Sequence, residues 1–168
     1  GRYEQLFFLP LLGLSTATVS IVGQNYGAKQ YQRVLETYKK GIKIGVIVLS
    51  LLGLIIFLTA DVAMNLFTDN ANVKQYGSDY LKISALMFPA FPFFFIGNAT
   101  FQGLKRAIIV MYMAIMRFVL MPLILISIIF YQIDENYNLI FFSLAAMHWI
   151  IGLSYYYYCN KKFKTILN

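Results

Sequence analysis

Five long apolar runs decide what this chain can fold into: residues 6–22, 44–60, 83–101, 108–130 and 139–158, which are 17, 17, 19, 23 and 20 residues long. A helix crosses the hydrocarbon core of a bilayer with about 20 residues, range about 17–25. Hydrocarbon offers backbone N–H and C=O groups no partner, so runs of this kind must satisfy them internally, as helices. The two shortest runs are flanked by Arg2 and Lys43, whose long side chains can reach outward to the interface and lengthen them. Composition points the same way. The chain is 60% hydrophobic and 12% charged, where a soluble domain carries about 25% charged residues. That excludes a soluble enzyme, and it equally excludes a disordered chain. In a soluble chain, a net charge of +7 would suggest a nucleic-acid partner. Here the charges lie between the apolar runs, so the partner is a bilayer surface and not nucleic acid. The single Cys159 leaves no internal disulfide and no CxxC metal site. Gly1 is not an initiator Met and the first run lacks a cleavage motif, so the chain reads as part of a longer one.

The connecting segments set an orientation. Segment 23–43 carries Lys29, Arg33, Lys39, Lys40 and Lys43 against Glu36 alone. Segment 102–107 carries Lys105 and Arg106, and the tail carries Lys161, Lys162 and Lys164. Segment 131–138 has no base and two acids, Asp134 and Glu135, while 61–82 sets Lys74 and Lys82 against Asp61, Asp69 and Asp79. Basic and non-basic segments alternate, as five spans require. The positive-inside rule then places the N-terminus of this chain outside and its C-terminus in the cytoplasm. Within 26–43, Tyr31, Val34, Leu35 and Tyr38 recur at helical spacing, which predicts an amphipathic linker on the inner surface. Tyr155 to Tyr158 read as an interfacial aromatic belt.

Several polar residues inside the runs can carry function. Run one holds Ser15, Thr16, Thr18 and Ser20; such hydroxyls serve either a close helix contact or a polar cavity wall. Run three holds Pro89 and Pro92, followed by Asn98, Thr100 and Gln102. Two prolines three apart remove two backbone donors, which kinks or opens a helix and can turn carbonyls toward a cavity. Around them stand Phe88, Phe91, Phe93, Phe94 and Phe95, whose faces can hold an organic cation or simply pack. Arg117 lies nine residues into run four. A charge near the midplane is costly and must face protein or water. No acid lies in any run, so its partner is another helix, carbonyls freed by Pro122, or an anionic ligand. His148 and Trp149 sit within run five, where a satisfied polar contact competes with a proton relay; one histidine makes no metal site. No catalytic motif is present, so the chain reads as a non-enzyme without a cofactor.

At residues 12–33 the stretch LGLSTATVSIVGQNYGAKQYQR resembles the multidrug and toxic compound extrusion family, the MATE transporters. The matching turn is Gly23, Gln24, Asn25, Gly27 and Ala28, followed by Arg33 in a basic linker. LFTDNANV at 66–73, GNATFQGLKRA at 97–107 and RFVLMPL at 117–123 follow in family order. The resemblance implies an all-α membrane fold. The chain would supply five transmembrane helices, most of one six-helix lobe, and correspond to the C-terminal half of a twelve-span protein in a bacterial inner membrane. It also implies an antiporter that expels cationic or amphipathic compounds by alternating access, driven by H⁺ or Na⁺. Pro89, Pro92 and Pro122 would shape the helices. Arg117, Asn98, Gln102, Phe91, Phe94, Thr16 and Ser20 would line the cavity or organise the lobe.

This sequence departs from the family pattern at one place. Some members carry an acid in the span that matches Pro89–Phe94, and here there is none. The coupling ion would then bind in the N-terminal lobe, which this chain lacks. Two other readings stay open. A lipid-linked oligosaccharide flippase of the same superfamily would suit Arg117 with a pyrophosphate. A non-transporting membrane anchor is the reading of another class, against which the polar residues and prolines of run three argue.

Overall fold

The computed structural model describes residues 2–120, 123, 124, 127 and 137–167. Pro122 and the acidic pair Asp134 and Glu135 lie outside the described residues. The described chain is helical almost throughout, with no strand. Helix α1 spans Arg2–Gly27, α2 Tyr31–Phe67 and α3 Ala71–Met87. A 3₁₀ turn at Phe88–Ala90 leads into α4, Phe91–Gly103. Helix α5, Ala107–Ile115, passes into a π-helical turn at Met116–Leu120, and α6 is Tyr137–Leu167.

Among the described residues three helical stretches are long and apolar enough to cross a membrane: Tyr31–Phe67, Ala71–Gly103 and Ile140–Leu167. Their outward faces keep large apolar side chains exposed, among them Leu58, Ile150 and Leu66, as suits a protein solvated by lipid. The basic segment expected to be a separate linker is instead continuous with the second run, as one helix of 37 residues. Val34 and Tyr38 in its N-terminal part are fully buried. They face the core because α2 also packs against α1, α3 and α4.

The core gathers around α4, which is packed by α1, α2 and α6. Lipid tails are as apolar as leucine, so such helices associate through close packing at small residues. Gly45 and Gly53 show this on α2. A Cβ at 45 would lie 2.8 Å from Cβ of Pro92, and one at 53 would lie 2.7 Å from the carbonyl oxygen of Ala85. The C-terminal part of α2 is tied to α3 by Asp61, which accepts from Ser78 Oγ and pairs with Lys82 Nζ at 2.8 Å.

The turns after α1 and after α4 share one device. At the end of α1, Gln30 N–H donates to Asn25 O at 2.8 Å and Lys29 N–H to Tyr26 O at 3.0 Å. At the end of α4, Arg106 N–H donates to Phe101 O and Lys105 N–H to Gln102 O, both at 2.9 Å. These are Schellman caps, with Lys29 and Lys105 at φ of 57° and 58° in the left-handed position that glycine usually fills. A lysine there also sets positive charge against the negative end of the helix dipole.

The prolines break the helix without leaving carbonyls open. Pro89 cannot donate to Ala85 O, which accepts from Phe88 N–H instead. Pro92 cannot donate to Phe88 O, which accepts from Phe91 N–H. Leu86 O accepts from the Trp149 indole at 2.9 Å. The freed carbonyls expected to face a cavity are thus met by the 3₁₀ turn and by α6. The tyrosine run also divides. Tyr155 is 4% exposed and belongs to the core with Cys159 and Phe163, four residues apart along one face of α6, whereas Tyr157 is 73% exposed. The expected belt is therefore a core residue at Tyr155 and a surface one at Tyr157.

Candidate functional site

Helix α1 carries Ser15, Thr16 and Ser20 on one face, and α4 carries Phe94, Phe95, Asn98 and Gln102 on the face opposite, each set at the three-to-four spacing that aligns side chains along a helix. Between them runs a groove of about 600 Å³, lined by these residues. That is the size of a site for a drug-sized molecule. Five of the residues singled out from the sequence meet there: Thr16, Ser20, Phe94, Asn98 and Gln102.

The polar groups of the groove have definite roles. Thr16 Oγ1 donates to Leu12 O at 3.0 Å, which leaves its lone pairs free to accept. The Tyr155 hydroxyl donates to Asn98 Oδ1 at 2.6 Å. That bond orients the Asn98 amide, whose N–H₂ keeps two donors and whose oxygen keeps one lone pair. The Ser15 hydroxyl is buried and has no hydrogen-bond partner among the described residues. Tyr155 approaches because residue 97 is glycine: a Cβ there would sit 2.7 Å from the Tyr155 ring. Sequence reasoning placed Tyr155 at the interface and missed this role. The signal was the Tyr155–Cys159–Phe163 repeat.

Phe91 and Arg117 stand beside the groove, across the ring of Phe94. The Arg117 guanidinium lies 4.2 Å from the Phe94 centroid, 5.3 Å from Phe91 and 5.9 Å from Phe95. The rings that could hold an organic cation therefore hold the chain's own arginine. Phe8 supports them edge-on, 4.7 Å from Phe91. Among the described residues no carboxylate pairs with Arg117. A cavity of about 10 Å³, near the size of one water, separates it from His148 and Gly152. His148 donates Nδ1–H to Leu144 O at 2.9 Å, and its ring lies 5.4 Å from Phe91. His148 and Trp149 thus make the satisfied polar contacts open to them. Among the described residues no three His, Cys, Asp or Glu side chains come together as metal ligands would.

The turn singled out by resemblance closes α1 onto α4 and lies apart from the groove walls. Asn25 Nδ2 donates to Ile21 O at 2.8 Å, and Gln24 O accepts from Ala28 N–H at 3.0 Å. A Cβ on Gly23 would stand 3.7 Å from Gly103 O, while Gly27 has open space. This is the helix cap already described, and it brings two basic turns side by side.

The sequence model of the MatE family matches residues 2–131. The chain belongs to the MatE family. A curated relative, the probable multidrug resistance protein NorM of Thermotoga maritima, is 28% identical over 103 residues, which is 61% of this chain and 21% of the relative. Two solved MATE structures of the MOP superfamily, one inward-facing and one outward-facing, each superpose with a TM-score of 0.89. They are 20% and 21% identical, and both alignments cover 98% of this chain, against 38% and 37% of theirs. A MOP superfamily transporter from Pyrococcus furiosus, described as having a binding pocket of reversed polarity, superposes with a TM-score of 0.90 at 20% identity, over 99% of this chain and 38% of its own. This MatE chain therefore spans well under half the length of its relatives, and its all-helical membrane fold is theirs.

Proposed function

We propose that this chain is part of the C-terminal lobe of a bacterial multidrug efflux antiporter that exports amphipathic compounds by alternating access. The observation that carries the reading is the groove between α1 and α4, where hydroxyl, amide and aromatic groups share one apolar cleft in a MatE fold. Likeness to both an inward-facing and an outward-facing relative supports a lobe that keeps its internal fold while access alternates. The groove lacks acids, so the driving H⁺ or Na⁺ binds in the rest of the transporter, above all in the N-terminal lobe. The test is dye retention in cells producing the full-length protein. Cells with the wild type should retain less of an amphipathic dye than cells without it. Gln102→Ala, which removes one groove amide, should slow efflux about five-fold, roughly the worth of one hydrogen bond near 1 kcal/mol. Equal retention with and without the wild-type protein would refute the exporter.

The charge pattern supports a bacterial inner-membrane location, with 23–43 and the C-terminal tail in the cytoplasm. With Cys159 replaced, a cysteine at Asn72 should react with an impermeant maleimide in intact cells. One at Gln30 should react only after permeabilisation. Outside labelling of Gln30 would reverse the orientation.

A further inference from the structure

The search for a ligand leads to Arg117. Its guanidinium is a rigid planar fork with five donors. Among the described residues its partners are the rings of Phe91, Phe94, Phe95 and Phe118. A half-buried charge that meets no acceptor among the described residues is an exception that calls for a physical reason. Its backbone lies in the π-helical turn Met116–Leu120, a conformation frequent at functional sites.

We propose that Arg117 and this aromatic cluster form a receptor for one anionic group, a carboxylate, sulfonate or phosphate, on an amphipathic molecule whose apolar body lies in the groove between α1 and α4. Three observations converge. The groove and the cluster share the walls Phe94 and Phe95, so a body in the groove lies against the same rings that the guanidinium faces. The polar lining of the groove is neutral, so Arg117 is the one formal charge between groove and cluster among the described residues. Tyr155 fixes the Asn98 amide through its oxygen, which sets the N–H₂ donors in place for an acceptor-rich head group. A quaternary ammonium fares worse. The ring faces it would use are already held by a cation, and that cation repels it. The inference rests on the export reading for its substrate, but the binding site can be tested separately.

The probes are three dansyl-decyl compounds that differ only in head group: carboxylate, trimethylammonium and neutral amide. Binding to the purified full-length protein is read by fluorescence, and uptake by reconstituted vesicles is read alongside. The wild type should bind the carboxylate at least ten-fold more tightly than the ammonium compound. Arg117→Gln should weaken the carboxylate at least ten-fold and tighten the ammonium compound, because the rings are freed. Arg117→Lys should keep charge, lose the fork and fall between. Wild-type preference for the ammonium head, or a carboxylate affinity unchanged in Arg117→Gln, overturns the anion receptor. If Arg117→Gln does not fold, the head-group order in the wild type decides alone. Displacement of the carboxylate probe by dihexanoyl phosphatidic acid assigns the site to a lipid head group. Displacement only by free decanoate assigns it to a soluble amphipathic acid, and either result supports an anion site. Arg117-dependent carboxylate binding with no transport of any probe would keep the receptor and discard the exporter. Ammonium transport indifferent to Arg117 would keep the exporter and discard the receptor.

Discussion

Gly53→Leu should abolish the folded full-length protein, and Gly53→Ala should already destabilise it by about 2–3 kcal/mol, the upper part of the range for overpacking. The first atom added at 53 would stand 2.7 Å from the Ala85 carbonyl oxygen and 3.5 Å from Phe88 Cβ. The oxygen belongs to the backbone and is fixed by the 3₁₀ turn, where it accepts from Phe88 N–H. No flexible side-chain end is available to move aside. Gly13 is the matched control, a glycine of α1 with nothing within 4 Å of an added Cβ. Gly13→Ala should be neutral or slightly stabilising, since alanine is favoured over glycine within a helix by up to about 1 kcal/mol. Thermal unfolding in detergent, followed by size-exclusion fluorescence, separates the two. Equal midpoints for Gly53→Ala and Gly13→Ala would remove the close approach of α2 to the proline break from the account.

The second large effect lies at the bond between Tyr155 and Asn98. Asn98→Leu strands the Tyr155 hydroxyl, on a residue 4% exposed, and should cost about 1–3 kcal/mol, the penalty for an unsatisfied buried polar group. Tyr155→Phe leaves Asn98 Oδ1 at a groove wall that water can reach, and should cost about 1 kcal/mol. The double variant should be less destabilised than the sum, because removing both partners leaves nothing unsatisfied. Transport should respond differently. Every variant that frees or removes the Asn98 amide should slow efflux, including the double one. A strictly additive stability cycle would show that the 2.6 Å contact contributes no coupling.

The helical runs, their membrane character and the residues of the groove were legible because they depend on short-range pattern. Thr16 and Ser20 fall on one face of a helix, and so do Asn98 and Gln102; two polar faces in apolar runs must meet something. Which face meets which is a tertiary fact. Arg117 was conspicuous as a charge, but nothing local says that Phe91 and Phe94, more than twenty residues earlier, lie under its guanidinium. The prolines announced a break in run three. That the freed carbonyls are met by a 3₁₀ turn and by Trp149 depends on α6, whose indole is 63 residues from the carbonyl it reaches. Four consecutive tyrosines look alike in sequence; the angle of α6 against α4 makes one of them core and another surface. The linker hid its continuity with α2 because charge density changes at Lys43 while the backbone does not.

The unbroken length of α2 has a mechanical consequence. At about 1.5 Å per residue its 37 residues reach about 55 Å, while the hydrocarbon core is about 30 Å thick. Residues 31–43 of α2, which precede the apolar run, reach about 20 Å beyond it as an arm carrying Arg33, Lys39, Lys40 and Lys43. A tilt of about 10° in the span moves the tip of such an arm by about 3–4 Å. Each lysine or arginine near an anionic leaflet is attracted by about 1 kcal/mol, and the attraction fades within a Debye length of about 8–10 Å. In the orientation proposed above, a few ångströms of swing would change the arm's hold on the lipid head groups, and the charge of the inner leaflet would act as a torque on the span that packs against the proline break.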